Sequence, residues 1–189
     1  ADDASGVDNE ATIENIMPQD GFDKIQNSFF IKSSYIEHES AEQKYGIIAH
    51  KIIEDIFKCK DTSIIDSHYL FSELEPNIQL KLRISLKNLF NLNEVQDWLK
   101  HKLQQEQEVI MKYGDSLYIG RIDLLVIKPD EVIIVDYKTD QNPPLNVANV
   151  NKKYMEQISR YVEVVKSIYP DKVVSSYFVW LETTKLMKI

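Results

Sequence analysis

The chain has 189 residues, with 22 Lys plus Arg against 30 Asp plus Glu and a formal net charge of -8, a length that supports one domain with a sizeable core rather than two. The acidic balance excludes a freestanding basic DNA binder, but not an enzyme that must gather carboxylates at its site. Cys59 is the only cysteine, which excludes an internal disulfide, a zinc ribbon and a four-cysteine iron–sulfur cluster and makes a reducing cytoplasm the expected compartment.

Residues 1 to 25 are acidic and polar with little apolar periodicity, and read as a flexible lead-in or linker remnant before a domain spanning 26 to 189. They do not resemble a signal peptide. No apolar run approaches the roughly 20 residues needed to span a bilayer, so no membrane partner is expected. From Ser40 the pattern becomes helical: Ile48, Ile52, Ile53, Ile56 and Phe57 recur at helix spacing, Ser40 is a candidate cap with Gln43 three positions on, and His50 lies at the edge of the apolar face. Two further helices are predicted, over about 76–91 with Pro76 at its start and over 94–104.

The period then changes. EQEVIMKY, SLYIGRIDLLVIK and EVIIVDYKT are short, rich in Ile, Val, Leu and Tyr, and separated by turn material; they predict three consecutive antiparallel strands. A helix follows over about 147–168, with Tyr154, Ile158, Tyr161, Val162, Val165 and Ile168 on one stripe, and a strand KVVSSYFVWLE is expected to close the chain. This order predicts an α/β fold with a central sheet flanked by helices, preceded by a helical region.

The charges inside the strands carry the chemistry. Asp136 and Lys138 are two apart and share a strand face, and Asp123 lies on the preceding strand. Their neighbours are so apolar that these groups are expected to be desolvated, which is costly for unpaired charges but not for acids around a divalent cation with a lysine nearby. Such a site suits phosphodiester hydrolysis, with carboxylates holding Mg²⁺ and Lys138 orienting the nucleophile and stabilising the transition state. Glu108 is a reasonable third acid, with Glu106 as its alternative, and His50 is a candidate nitrogen ligand.

Each assignment has a plainer counterpart. Asp136 and Lys138 would make an ion pair on an edge strand, Glu108 a solvated glutamate, His50 a structural histidine, and Asp140 a turn residue. Tyr154, Gln157 and Tyr161 share one helix face at spacings of three and four. Gln157 and Tyr161 either belong to the core stripe and its solvated margin or face the cleft to contact a phosphate backbone or base.

Together, Gly46-x-x-x-His50, Gly120-Arg-Ile-Asp123, Asp136-Tyr-Lys138-Thr139 and Gln157-x-x-x-Tyr161 resemble the RecB-type nucleases of the PD-(D/E)xK superfamily. The nearer resemblance is to the C-terminal nuclease domains of AddA proteins, in the alphaproteobacterial form of the AddAB helicase–nucleases, and covers residues 40 to 189. It implies a restriction-endonuclease-like fold with a mixed central sheet. It also implies Mg²⁺ (with Mn²⁺ able to substitute) held by His50, Asp123 and Asp136, Glu108 as the additional acid, Lys138 as the catalytic lysine, and Gln157, Tyr161 and Arg121 at the substrate. Ile47 to Ala49 depart from the more polar residues expected before the histidine. The implied partners are a single strand of an unwound DNA duplex, the upstream AddA motor and an AddB-type subunit, in double-strand break repair. The chain itself has no G-x-x-x-x-G-K-[ST] phosphate loop, so no ATP site is expected in it. The alternative is a non-catalytic module of the same fold that docks or guides DNA in a repair complex.

Overall fold

The computed structural model describes residues 40–113 and 116–189; the lead-in expected over residues 1 to 25 lies outside them. Helix α1 (Ala41–Cys59) starts at Ser40, whose hydroxyl accepts the Gln43 N–H at 3.1 Å while the Gln43 side chain accepts the Ser40 N–H at 2.8 Å. This reciprocal cap satisfies two donors that a first helical turn leaves without partners. The helix stops at Lys60, in the left-handed conformation at φ 53°. The Lys60 ammonium donates to the carbonyls of Leu99 and His101 at 2.7 and 3.1 Å, tying the end of α1 to the entrance of the sheet.

Two 3-10 turns, Thr62–Asp66 and Tyr69–Glu73, lead into α2 (Pro76–Phe90) and α3 (Asn93–Trp98). The helix expected through residue 104 thus ends early, and strand β1 (Lys102–Tyr113) begins at Lys102 rather than at Glu106. Leu103 fits a helical stripe, but it reaches the same core from a strand, where it pairs with Val126; short apolar patterns do not separate these two states.

Strands β2 (Ser116–Ile127) and β3 (Glu131–Lys138) complete the expected antiparallel meander. Helix α4 (Lys152–Ile168) then crosses to β4 (Val173–Trp180), which runs parallel to β3. The helix expected from about 147 begins at Lys152, where Asn151 accepts the Lys153 N–H at 2.9 Å; Val147–Asn149 forms a separate 3-10 turn. Nor does β4 close the chain. Strand β5 (Lys185–Lys188) folds back against it antiparallel, after a turn in which Thr184 takes φ 52°.

The sheet is mixed, in the order β1-β2-β3-β4-β5, and is covered on both sides. On one face α1, α2 and α3 pack on Leu124, Val126, Ile133, Val135 and Tyr137. On the other, α4 packs on Ile122, Leu125, Val132, Ile134, Phe178 and Trp180. Two covered faces explain why the run Val132 to Tyr137 is buried at every position rather than alternately. Among the described residues, no helix is long and apolar enough to cross a membrane.

Ile52 on α1 is fully buried, whereas Ile84 on α2 is 52% exposed. Ile52→Ala should cost about 2–4 kcal/mol through lost burial and a residual cavity, and Ile84→Ala should stay within about 0.5 kcal/mol. Urea unfolding midpoints of the two variants against the parent chain check this contrast.

Candidate active site

The sheet is interrupted along one transverse row. β1 and β2 pair at Gln105↔Leu124 and again at Gln107↔Ile122, so Glu106 stands opposite Asp123 without belonging to the ladder. β2 and β3 pair only as far as Leu124↔Val135, so the next position along sets Asp123 opposite Asp136. Three acids on adjacent strands therefore share a row in which the β1–β2 and β2–β3 pairing is interrupted, while Asp136 stays paired with Phe178 of β4. The Asp123 carboxylate takes over the missing acceptor role and accepts the Tyr137 N–H at 2.8 Å.

The same row reverses the side-chain phase of β1 and β2. Leu103 packs with the α1 face while Val109 and Met111 pack with the α4 face; Leu124 and Val126 pack with the α1 face while Ile122 packs with the α4 face. A strand with strict alternation would put each of these sets on one side. Glu106 absorbs the break on β1 at φ 51°, a left-handed conformation that costs a non-glycine residue about 1–2 kcal/mol. Because both strands slip together, the register is the same on either side of the row.

Above this break sits α1. A Cβ at Gly46 would lie 3.2 Å from Thr139 Oγ1, so the bare glycine lets the helix approach the end of β3 closely. One turn on, His50 Nδ1 comes 3.7 Å from Asp123 Oδ1, and the His50 ring meets the Tyr137 ring edge-on at 5.6 Å. Potential ligand atoms of His50, Glu106 and Asp123 all lie within 4.8 Å of one another. Arg121 pairs with Glu106 at 2.6 Å from the solvent side.

Burial dominates the electrostatics. It pushes the Asp123 carboxyl up to about 6 against the Tyr137 N–H and the Lys138 charge, which pull it down. Burial likewise pushes Asp136 up to about 6, opposed by Lys138 and reinforced by Asp123. His50 is lowered by burial, against the pull of Asp136 and Glu106, so its imidazole is neutral at pH 7 with a lone pair available. A neutral histidine and carboxylates that lack sufficient countercharge form a donor set that suits a divalent cation.

Asp136 is 3% exposed. Its Oδ2 lies 2.5 Å from Lys138 Nζ, a close charged contact that pulls the carboxyl down against burial. Lys138 also donates to Gln157 Oε1 at 3.3 Å, and Gln157 donates onward to the Tyr161 hydroxyl at 2.9 Å. That hydroxyl donates to the Arg121 carbonyl at 2.8 Å and accepts the Arg121 N–H at 3.2 Å. The lysine of β3 is thereby linked through α4 to the β2 backbone two residues from Asp123. Gly120 makes the link possible, because a Cβ there would lie 2.8 Å from the Tyr161 ring.

Of the residues expected from sequence, His50 and Asp123 meet beside Glu106, whereas Asp136 pairs with Lys138 and is not among the mutually close potential ligands of the described residues. For two residues the geometry favours the alternative left open by the sequence. Glu108 is exposed and stands outside the cluster, while Glu106 joins His50 and Asp123; counting along an unbroken strand could not separate the two, because the phase reverses at Glu106. Tyr161 is 1% exposed and ties secondary structure together instead of facing the cleft. Gln157 contacts Lys138, and Arg121 remains exposed beside Glu106. What the sequence did not show is the contact of Lys138 with Tyr154 and Phe178: Tyr154 was visible as sharing the helix face of Gln157 and Tyr161, and Phe178 only as an ordinary strand aromatic.

A model of the PD-(D/E)XK nuclease superfamily matches residues 28–186 of the chain. The A-type subunit of the ATP-dependent helicase/nuclease from Streptococcus equi subsp. zooepidemicus is 23% identical over a 191-residue alignment that covers 92% of this chain and 16% of the relative. The protein of the same name from Acetivibrio thermocellus is 32% identical over 78 residues, 41% of this chain and 6% of the relative. That of Lacticaseibacillus casei is 36% identical over 69 residues, 36% of this chain and 5% of the relative. The chain therefore matches at most 16% of the length of these relatives.

Two outcomes follow from the geometry. Asp123 and Asp136 titrate near 6 when folded and at an ordinary lower value when unfolded. The folded state holds their protons longer, so their stabilisation is complete below about pH 4 and is lost as pH rises through about 6. In metal-free protein, the loss of stability between pH 5 and 7.5 should be smaller in Asp123→Asn and Asp136→Asn than in the parent, by on the order of 1–3 kcal/mol in denaturant titrations. Gly120→Ala, which forces the Tyr161 ring aside, should destabilise by about 1–3 kcal/mol. Gly46→Ala, facing a single side-chain hydroxyl, should lower the thermal midpoint less.

Proposed function

The chain belongs to the PD-(D/E)XK nuclease superfamily, and we propose that it is a metal-dependent deoxyribonuclease, the nuclease domain of an AddA-type helicase–nuclease. The observation that carries this reading is the transverse row of Glu106, Asp123 and Asp136 with Lys138 beside it. Two buried carboxyls with raised pKa values and a neutral histidine make a poor structural ion pair but a good cation site.

His50, Asp123 and Asp136, with Glu106 in place of Glu108, would hold Mg²⁺ or Mn²⁺. A cation held there would supply a more acidic water and neutralise charge growing on the phosphate. The remaining work belongs to the chain. Tyr137 N–H fixes the Asp123 carboxylate, and Gln157 and Asp136 aim the Lys138 ammonium, which orients the attacking water and stabilises the transition state. Arg121, exposed at the rim, is placed to meet the DNA backbone.

The names of the relatives support a place in an ATP-dependent helicase/nuclease. On this reading, the upstream motor unwinds a broken duplex and delivers one strand to this domain, with an AddB-type partner, for exonucleolytic processing before recombination in the cytoplasm. The competing docking module would need no intact acid–lysine set.

Labelled single- and double-stranded DNA incubated with the chain and Mg²⁺, Mn²⁺ or EDTA tests the proposal. Cutting should require the cation, and Asp136→Ala and Lys138→Ala should each lower the rate by about a hundredfold or more. Equal rates in parent and variants would place the nuclease elsewhere.

A further inference from the structure

We propose that Tyr154 is a positioning residue for Lys138; this rests on the nuclease reading above. The Lys138 ammonium lies 4.1 Å from the centre of the Tyr154 ring and 5.5 Å from that of Phe178, in an aromatic slot between α4 and β4. Its side chain is 11% exposed. Tyr154 and Gln157 are three residues apart on α4, so both approach Nζ from one face of the same helix.

An ammonium carries three N–H donors. Asp136 and Gln157 engage it as ionic and hydrogen-bonding partners. An aromatic face attracts the positive charge through its quadrupole without offering a lone pair for a directed hydrogen bond. Tyr154 therefore stabilises the charge while leaving a donor for a phosphate oxygen or a water. It also confines a four-carbon stem that would otherwise sample several rotamers.

The ring is itself held in place. The Tyr154 hydroxyl donates to Asp140, with oxygens at 3.1 and 3.3 Å, and the ring packs near Phe178 and Trp180 at 6.1 and 6.2 Å. Asp140 follows Lys138 by two positions, so this bond closes the segment after β3 over the lysine side chain. The Asp140 bond adds to a hold that the packing against Phe178 and Trp180 already gives the ring.

The test compares Tyr154→Leu, Tyr154→Phe and Lys138→Ala in this chain. Cleavage rates at saturating DNA should fall about tenfold in Tyr154→Leu, with KM within about twofold of the parent, and Tyr154→Phe should restore most of the rate. Independently of activity, 13C-lysine NMR, with Lys138→Ala identifying the signal, should show the Lys138 ε-carbon protons shifted upfield in the parent and in Tyr154→Phe, and returned towards the exposed-lysine position in Tyr154→Leu. An unmoved resonance in Tyr154→Leu overturns the proposal. So does a raised KM with an unchanged saturating rate, which would make Tyr154 a substrate contact, or a lowered thermal midpoint with an unchanged rate, which would make it only core. If the parent and Lys138→Ala alike fail to cut, the nuclease reading fails, while the resonance still decides whether Tyr154 holds the lysine.

Discussion

The burial of acids in a row where the sheet gives up its own hydrogen bonds is the constraint on which this structure turns. Between β1 and β2 the ladder skips Glu106 and Asp123, and between β2 and β3 it ends one position before Asp123 and Asp136. Ending the ladder at Leu124↔Val135 frees the Tyr137 N–H, and Asp123 accepts it, so the backbone loses no partner where it is most buried. What the protein cannot satisfy from its own backbone is the charge. Desolvated carboxyls are held above their ordinary range, and Lys138 alone does not bring them down. This imbalance is what the proposed cation site would relieve.

Around that row, the fold supplies rigid connections from three directions. From α1 comes His50, brought close by the absent side chain of Gly46. From α4 comes the chain of contacts through Gln157 and Tyr161 to the Arg121 backbone, which Gly120 admits. From β4 comes Phe178, one wall of the slot that holds the lysine. The candidate site residues on β2 and β3 are thus held both from within the sheet and by side chains of the helices on its two faces. A site that requires placement within fractions of an ångström needs such support, and it explains why two glycines lie next to the acid and histidine motifs rather than in turns.

The two-faced sheet serves the same end. Because α1 to α3 and α4 cover opposite faces, β3 is buried along its length and water is excluded from the base of the row. Low polarity there strengthens every charge interaction at the open end. The phase reversal shared by β1 and β2 then turns Glu106 and Asp123 towards α1, while Lys138 remains on the α4 side. The same end of the sheet presents acids to one helix and a cation to another.

Much of this was legible in the chain itself. Asp123, Asp136 and Lys138 could be picked out because charge inside runs of Ile, Val and Leu is costly wherever the chain folds, and the three meander strands followed from local periodicity and turn residues. The stripe on α4 and the cap at Ser40 are local in the same sense. The choice of Glu106 over Glu108, the burial of Tyr161, the aromatic slot around Lys138 and the return of β5 were decided only by tertiary structure. Each depends on register, on a phase break shared by two strands, or on a helix and a strand meeting across many residues of sequence. The sequence determined which side chains the site had available; packing of non-local elements decided which of them face one another, because no local pattern encodes where two strands stop pairing.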